Sequence, residues 1–193
     1  FKRGGYDTLY YRDYAITLAY NGDKEKAEEV LEEAIEYGLE EDSIFYAKGE
    51  IEKALEEYDA ALSDFKECIA ISEDDALKAR AYTLCSKIYE TTGDREQERQ
   101  FLEEAMRELP SENQMLLIER LIQVNLDLAD STGESYYREE AIHGLLTVID
   151  QGWDTYETYD NLAILYEKQE DLNEAEEILL EMQSKFGDDY NIF

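Results

Sequence analysis

His143 is the single histidine among 193 residues, and that alone removes most side-chain chemistry. One imidazole cannot build a His-based metal site, and no Ser/His/Asp or Cys/His nucleophile set can form without it as the base. It falls mid-helix by pattern, where a surface or half-buried place is expected. Cys68 and Cys85 sit on faces that should pack between consecutive helices, so they read as small buried thiols rather than a redox pair. Two cysteines make no disulfide framework. With 49 carboxylates in the chain, adjacent acids are inevitable, and Glu28-Glu29, Glu32-Glu33 and Glu176-Glu177 read as solvated helix faces. The acidic loops Glu73-Asp74-Asp75 and Gly187-Asp188-Asp189 lack the spaced oxygen ligands of a calcium loop. There is no Gly-rich phosphate loop. The residues therefore assign no catalytic, cofactor-binding or metal-binding site, and the chain reads as non-catalytic.

The charge balance narrows the partners. Eighteen basic residues against 49 acidic ones give a net charge of −31 and a pI near 4.1. Nucleic-acid binding draws on clustered cations, and anionic membranes attract them, so neither is an expected partner. Leu, Ala and Glu supply 71 of the residues while Val appears three times and Pro once, a helix-forming mix. A hydrophobic content of 44% is too high for a disordered acidic tail. No run approaches the roughly 18 apolar residues of a membrane span, and no signal peptide is visible. The first residue is Phe1, and Tyr190-Asn191-Ile192-Phe193 resembles the opening of another apolar helix. The chain thus reads as a fragment of a longer protein, with an expected weak point after Asp189. The few cysteines and the lack of an Asn-x-Ser/Thr sequon are compatible with a reducing, cytoplasmic setting without requiring one.

Self-similarity carries the main result. Breaks at Asn21-Gly22-Asp23, Glu56-Glu57-Tyr58-Asp59, Thr92-Gly93-Asp94 and Gln169-Glu170-Asp171 each lie between two helical patterns. After each comes a ladder at i, i+4, i+7: Ala27/Leu31/Ala34, Ala61/Phe65/Cys68, Glu98/Leu102/Ala105 and Ala175/Leu179/Met182. A fifth, Ala141/Leu145/Val148, follows the longer loop Ser131–Ser135. The ladder heads stand 34, 37, 43 and 34 residues apart, which predicts an all-α array of antiparallel helix pairs. Box-like pairs three residues apart (Asp94/Gln97, Ser111/Gln114, Asp154/Glu157, Asp171/Glu174) mark expected helix starts.

In this pattern the chain resembles the tetratricopeptide repeat family, whose repeat has a large residue, a small one four later, a large one three beyond, then the ladder. The matching residues are Tyr11/Ala15/Leu18, Phe45/Gly49, Tyr82/Ser86/Tyr89 and Tyr159/Ala163/Tyr166, with Glu52 where an aromatic is usual and Pro110 closing the third unit. Leu117/Leu121/Val124 begins the least typical unit, which carries about eight extra residues before Ala141. The resemblance implies a right-handed superhelical solenoid, with repeats at about 8–41, 42–78, 79–113, 114–155 and 156–189 in one array.

It also implies that the first helix of each pair lines a concave face. The non-core residues there are Arg12 and Ile16; Tyr46, Glu50 and Lys53; Arg80, Thr83 and Lys87; Met115, Ile118 and Ile122; Asp160 and Ile164. From these, Arg12, Tyr46, Lys53, Arg80, Lys87, Met115, Ile118 and Ile122 form the candidate partner-binding set. The cations would meet acidic groups of a peptide or protein, and Met115/Ile118/Ile122 would grip an apolar side chain. Core packing of Met115 and Ile118 in an atypical longer pair is the competing expectation. The carboxylate clamp of the chaperone-binding members is not carried over, because Arg80 and Lys87 stand seven apart with Thr83 between them. A regulatory or homodimerising arm of a larger enzyme or membrane-anchored protein is the alternative function.

Overall fold

The computed structural model describes residues 6–36, 38 and 40–187; the expectations placed on Asp188–Phe193 lie outside the described residues. Among the described residues there are ten α-helices, one short 3-10 turn at Ser111–Asn113, and no strand. In chain order the helices are α1 (Tyr6–Tyr20), α2 (Lys24–Glu36), α3 (Glu41–Ala54), α4 (Tyr58–Ile71), α5 (Asp75–Thr92), α6 (Arg95–Glu108), α7 (Met115–Thr132), α8 (Ser135–Asp150), α9 (Tyr156–Lys168) and α10 (Leu172–Phe186). Odd and even helices pair as antiparallel hairpins. The chain separates into two compact units, Phe1–Asn113 and Gln114–Phe193. In the first, α1 also packs on α3, α2 on α3, α4 on α5 and α3 on α5; in the second, α8 packs on α9. No described helix is long and apolar enough to cross a membrane.

Close approach within each pair depends on small residues, as the spacing predicts. Ala15, Gly49, Ser86 and Ala163 are all buried. Gly49 shows how tight the contact is: a Cβ built there would lie 2.7–2.9 Å from the Phe65 ring. The ladder residues Leu31, Phe65, Leu102 and Leu145 are buried, but Leu179 is 37% exposed. Leu31, Phe65 and Leu145 sit on second helices covered by the next pair (α2 by α3, α4 by α5, α8 by α9), and no described helix follows α10.

Four of the five hairpin turns share one geometry. At Gly22, Glu56, Gly93 and Glu170 the backbone turns left-handed, with φ of 84°, 61°, 81° and 67°. The next residue then donates its N–H to the carbonyl five residues back: Asp23 to Leu18, Glu57 to Glu52, Asp94 to Tyr89 and Asp171 to Tyr166, at 2.8–3.0 Å. These bonds satisfy the last carbonyls of the first helix. Glycine adopts this conformation freely, whereas a Cβ crowds the carbonyl, so Glu56 and Glu170 are strained where Gly22 and Gly93 are not.

Helix starts match the expected pairs in part. The Asp94 carboxylate accepts from Gln97 N–H at 3.1 Å, while Asp171 makes no side-chain cap bond. Ser111 opens the 3-10 turn instead of α7, which begins after Gln114. The α9 cap is Thr155, whose N–H donates to Thr158 Oγ1 at 3.0 Å; Asp154 instead accepts from Lys185 Nζ at 2.5 Å.

Two substitutions test these packing statements by chemical denaturation. Gly49→Ala should destabilise the protein by about 1–3 kcal/mol, because a methyl group must displace a ring in a filled core. Glu56→Gly should stabilise it by about 0.5–1 kcal/mol, the relief of left-handed strain outweighing the added unfolded-state entropy.

Candidate functional site

The first helices α1, α3 and α5 form a continuous layer in the first unit. Three expected cations, Arg12, Lys53 and Arg80, lie near Glu50 on these helices, while Tyr46, expected outside the core, is buried beside them. Tyr46 is 7% exposed and lays its ring edge-on to Phe65 at 5.7 Å. The Arg80 guanidinium from α5 stands 5.8 Å from the Tyr46 ring centre, a cation–π distance. From α1, Arg12 holds Asp13 through Nε at 3.1 Å and Nη2 at 2.9 Å. Lys53 lies one turn beyond Glu50 on α3.

The charges act on one another. Burial pushes the Glu50 carboxyl above its ordinary range; Arg12 opposes this, Asp13 adds to it, and Lys53 and Arg80 oppose it. Burial likewise pushes the Tyr46 phenol up to about 12, with Glu50 adding and Arg80 and Arg12 opposing. The chemistry on offer is cationic recognition beside an aromatic face, with one internal carboxylate among the cations. Lys87 is exposed on α5, about 10 Å along the helix from Arg80. Thr83 spends its hydroxyl on the Ala79 carbonyl at 2.8 Å.

The apolar grip expected on α7 needs correction. Ile118 and Ile122 are 2% and 8% exposed. Ile122 packs against Gly144 of α8, where a built Cβ would come within 2.6 Å of Ile122 Cγ1. Both isoleucines are therefore core, and only Met115 of that trio is exposed, next to the still more exposed Leu116.

The remaining chemical candidates are structural. Cys68 and Cys85 are fully buried free thiols, and burial pushes both up to about 12. His143 is exposed on α8. The described residues contain no group of three or more His, Cys, Asp or Glu able to hold a metal.

A second feature was not anticipated. Glu52 of α3 and Asp64 of α4 meet at a cleft of about 430 Å³, lined also by Leu31, Ile44, Ile51, Lys24 and Lys48. One repeat later, 37 residues on in both cases, the same two places hold Tyr89 and Phe101, whose rings pack at 5.9 Å. Carboxyls thus stand where the next hairpin has an aromatic pair. Burial, then the Asp64 charge, push Glu52 up to about 7, with Lys24 opposing; burial also raises Asp64. Glu52 was visible as a departure from the pattern; the signal that completes the pair is the repeat offset that sets Asp64 against Phe101.

The second, third and fifth hairpins match known sequences. Two sequence profiles described as tetratricopeptide repeat match the chain, one at residues 42–75 and 79–108 and the other at 155–182. These three segments are tetratricopeptide repeats. The fourth hairpin, α7–α8, lies outside the matched segments, in keeping with its extra length. A search of curated sequences finds no relative. Among solved structures, MamA from Desulfovibrio magneticus is similar at a TM-score of 0.54 and 14% identity, over 96% of this chain and 99% of that one. PilF from Pseudomonas aeruginosa gives 0.55 and 17%, over 93% and 78%. YrrB, described as a TPR protein with an unusual peptide-binding site, gives 0.53 and 18%, over 90% and 84%. At these identities the likeness is one of fold. The architecture is that of a protein–protein interaction scaffold, a family generally without catalysis of its own.

The raised Glu52 carboxyl makes stability depend on pH. In the unfolded chain it ionises near 4.5 and in the folded one near 7, so ionisation costs nothing below the lower value and its full cost above the upper. Glu52→Gln should raise the melting temperature at about pH 8 and leave it nearly unchanged near pH 4. Thermal melts of both proteins across that range check the difference.

Proposed function

We propose that the protein is a non-catalytic adaptor that holds an extended or helical peptide segment of another protein on the layer formed by α1, α3 and α5. The observation that carries this reading is the grouping of Arg12 and Arg80 near Tyr46 and of Lys53 near Glu50, drawn from three successive first helices in a chain with only 18 basic residues against 49 acidic ones. Lys87 extends the cationic surface along α5. Carboxylates of a partner would pair with these cations, and the buried Tyr46 ring backs the Arg80 guanidinium from beneath. On the second unit, Met115 with Leu116 offers an apolar contact. Phosphate-rich partners are disfavoured by the overall charge.

A second reading, a regulatory or homodimerising arm of a larger enzyme or membrane-anchored protein, draws on Leu172, Leu179 and Leu180, all exposed along α10. Light scattering distinguishes the two: a monomer at all concentrations favours the adaptor, and concentration-dependent dimers favour the arm.

The double substitution Arg80→Glu/Lys87→Glu tests the adaptor reading. Both residues are exposed, so the fold should survive, as circular dichroism would show. Affinity for partners captured by the unaltered protein should fall about tenfold or more. Retention of every partner at full affinity would remove the layer as the binding face.

A further inference from the structure

The Lys66 ammonium on α4 is held by aromatic groups alone. It donates to the Tyr89 hydroxyl at 3.1 Å and stands 5.5 Å from the centre of the Phe101 ring, within cation–π reach. Among the described residues no carboxylate pairs with it, in a chain with 49 acids. Lys185, which rests in a similar way on Tyr159 and Phe186, is by contrast tied to Asp154 at 2.5 Å. Lys66 lines a cleft of about 430 Å³ between α4 and α6, with Tyr82 and Tyr89 of α5 and Phe101, Glu104 and Glu108 of α6 in its walls. The Phe101 ring packs on Tyr82 at 4.9 Å and on Tyr89 at 5.9 Å, and the Tyr82 hydroxyl donates to Glu108 at 2.8 Å. The three rings are buried, while Lys66, Glu104 and Glu108 are exposed. A phenol oxygen, a ring and two rim carboxylates thus form a seat for an ammonium group, and Lys66 shows the fit.

The neighbouring cleft beside α2 favours the same chemistry. Four carboxylates line it, Glu28, Glu32, Glu52 and Asp64, against Lys48 and a Lys24 already tied to Glu57 at 2.5 Å. One Glu52 oxygen is buried there and accepts no hydrogen bond. We propose that the second-helix face formed by α2, α4 and α6 is a further interaction surface, which takes a lysine-rich segment of a partner protein. One lysine of that segment occupies the seat beside Tyr89 and Phe101 that Lys66 fills in the free protein. This goes beyond the adaptor reading, which uses the first-helix layer. Lys66 has no ion pair to break, so its flexible side chain moves into water at the cost of one phenol and one ring contact, which the incoming ammonium restores. The gain comes from Glu104 and Glu108 at the rim and from the attraction of a chain of net charge −31 for a cationic segment.

The test uses the full chain and a rhodamine-labelled peptide alternating lysine and serine, followed by fluorescence anisotropy at an ionic strength of about 0.15 M, where diffuse attraction is screened. Lys66→Ala vacates the seat at an exposed helix position, and the peptide should bind about fivefold more tightly, the size of one exposed cation–π contact that no longer has to be given up first. Lys87→Ala makes the same change of net charge from an exposed position on α5 and should leave the affinity close to that of the unaltered protein. Equal affinities for the two variants would reduce the binding to bulk charge and overturn the seat, as would no binding by any form. NMR of the unaltered protein is independent of how the variants fold. The Lys66 ε-methylene signals, displaced from free-lysine values by the Phe101 ring, should return toward them as peptide is added, while those of Lys87 stay in place. Lys66 signals unmoved at saturating peptide overturn the proposal. Signals that shift with protein concentration alone assign the cleft to a second copy of the chain, and overturn the partner segment as its occupant.

Discussion

Everything in the first unit depends on how closely two antiparallel helices can approach. Where Gly49 meets Phe65 there is no room for one more carbon, and Ala15, Ser86 and Ala163 serve the same need in their own hairpins. The distance they permit lets the ladder side chains reach across and fill the space between successive pairs. The third hairpin shows how far that constraint bends. Its ladder head is Glu98, wholly buried, yet Ser86 Oγ donates to it at 2.7 Å and Arg95 at 2.8 Å. A carboxylate is tolerated there because both its oxygens are satisfied by neighbours that the same packing delivers.

Packing of this kind also sorts the charge. Once small and large residues at the core positions face inward, what remains on each helix is set by its place in the pair. On α2 the acids Glu25, Glu28, Glu29, Glu32, Glu33 and Glu36 are all exposed, which keeps the second-helix side hydrated and repulsive. Arg12, Lys53 and Arg80 emerge on the first-helix layer instead. The described residues thus set a local group of cations on the first-helix layer against a strongly negative background.

Much of this was legible in the chain because a repeat is read several times over. The 34- to 37-residue recurrence placed every hairpin from the first to the third, and the left-handed turns at Gly22 and Gly93 announced their counterparts at Glu56 and Glu170, where no glycine stands. The grouping of Arg12, Lys53 and Arg80 on successive first helices came from the family resemblance, which did not foresee the burial of Tyr46. Register failed where the period changed. In α7 the register read as Leu117/Leu121/Val124 does not hold, since Ile118 and Ile122 are buried with Leu117 and Val124 while Leu121 is not. The α9 cap slipped by one residue because Thr155 and Thr158 serve each other, leaving Asp154 to Lys185. The Glu52–Asp64 contact joins residues twelve apart on different helices, which no ladder on a single helix displays.

That carboxyl contact has a mechanical consequence. Stacked hairpins share load only through the surfaces they press together, and a stack yields first at its thinnest seam. Beside α2, the carboxyls of Glu52 and Asp64 stand where Tyr89 and Phe101 pack ring on ring one pair later, around a cleft of about 430 Å³ in both places. The first hairpin is accordingly the leaf most easily turned, while the two pairs behind it stay clasped. Amide protons of α1 and α2 would trade with solvent ahead of those in α5, and the molecule would come undone from that edge inward.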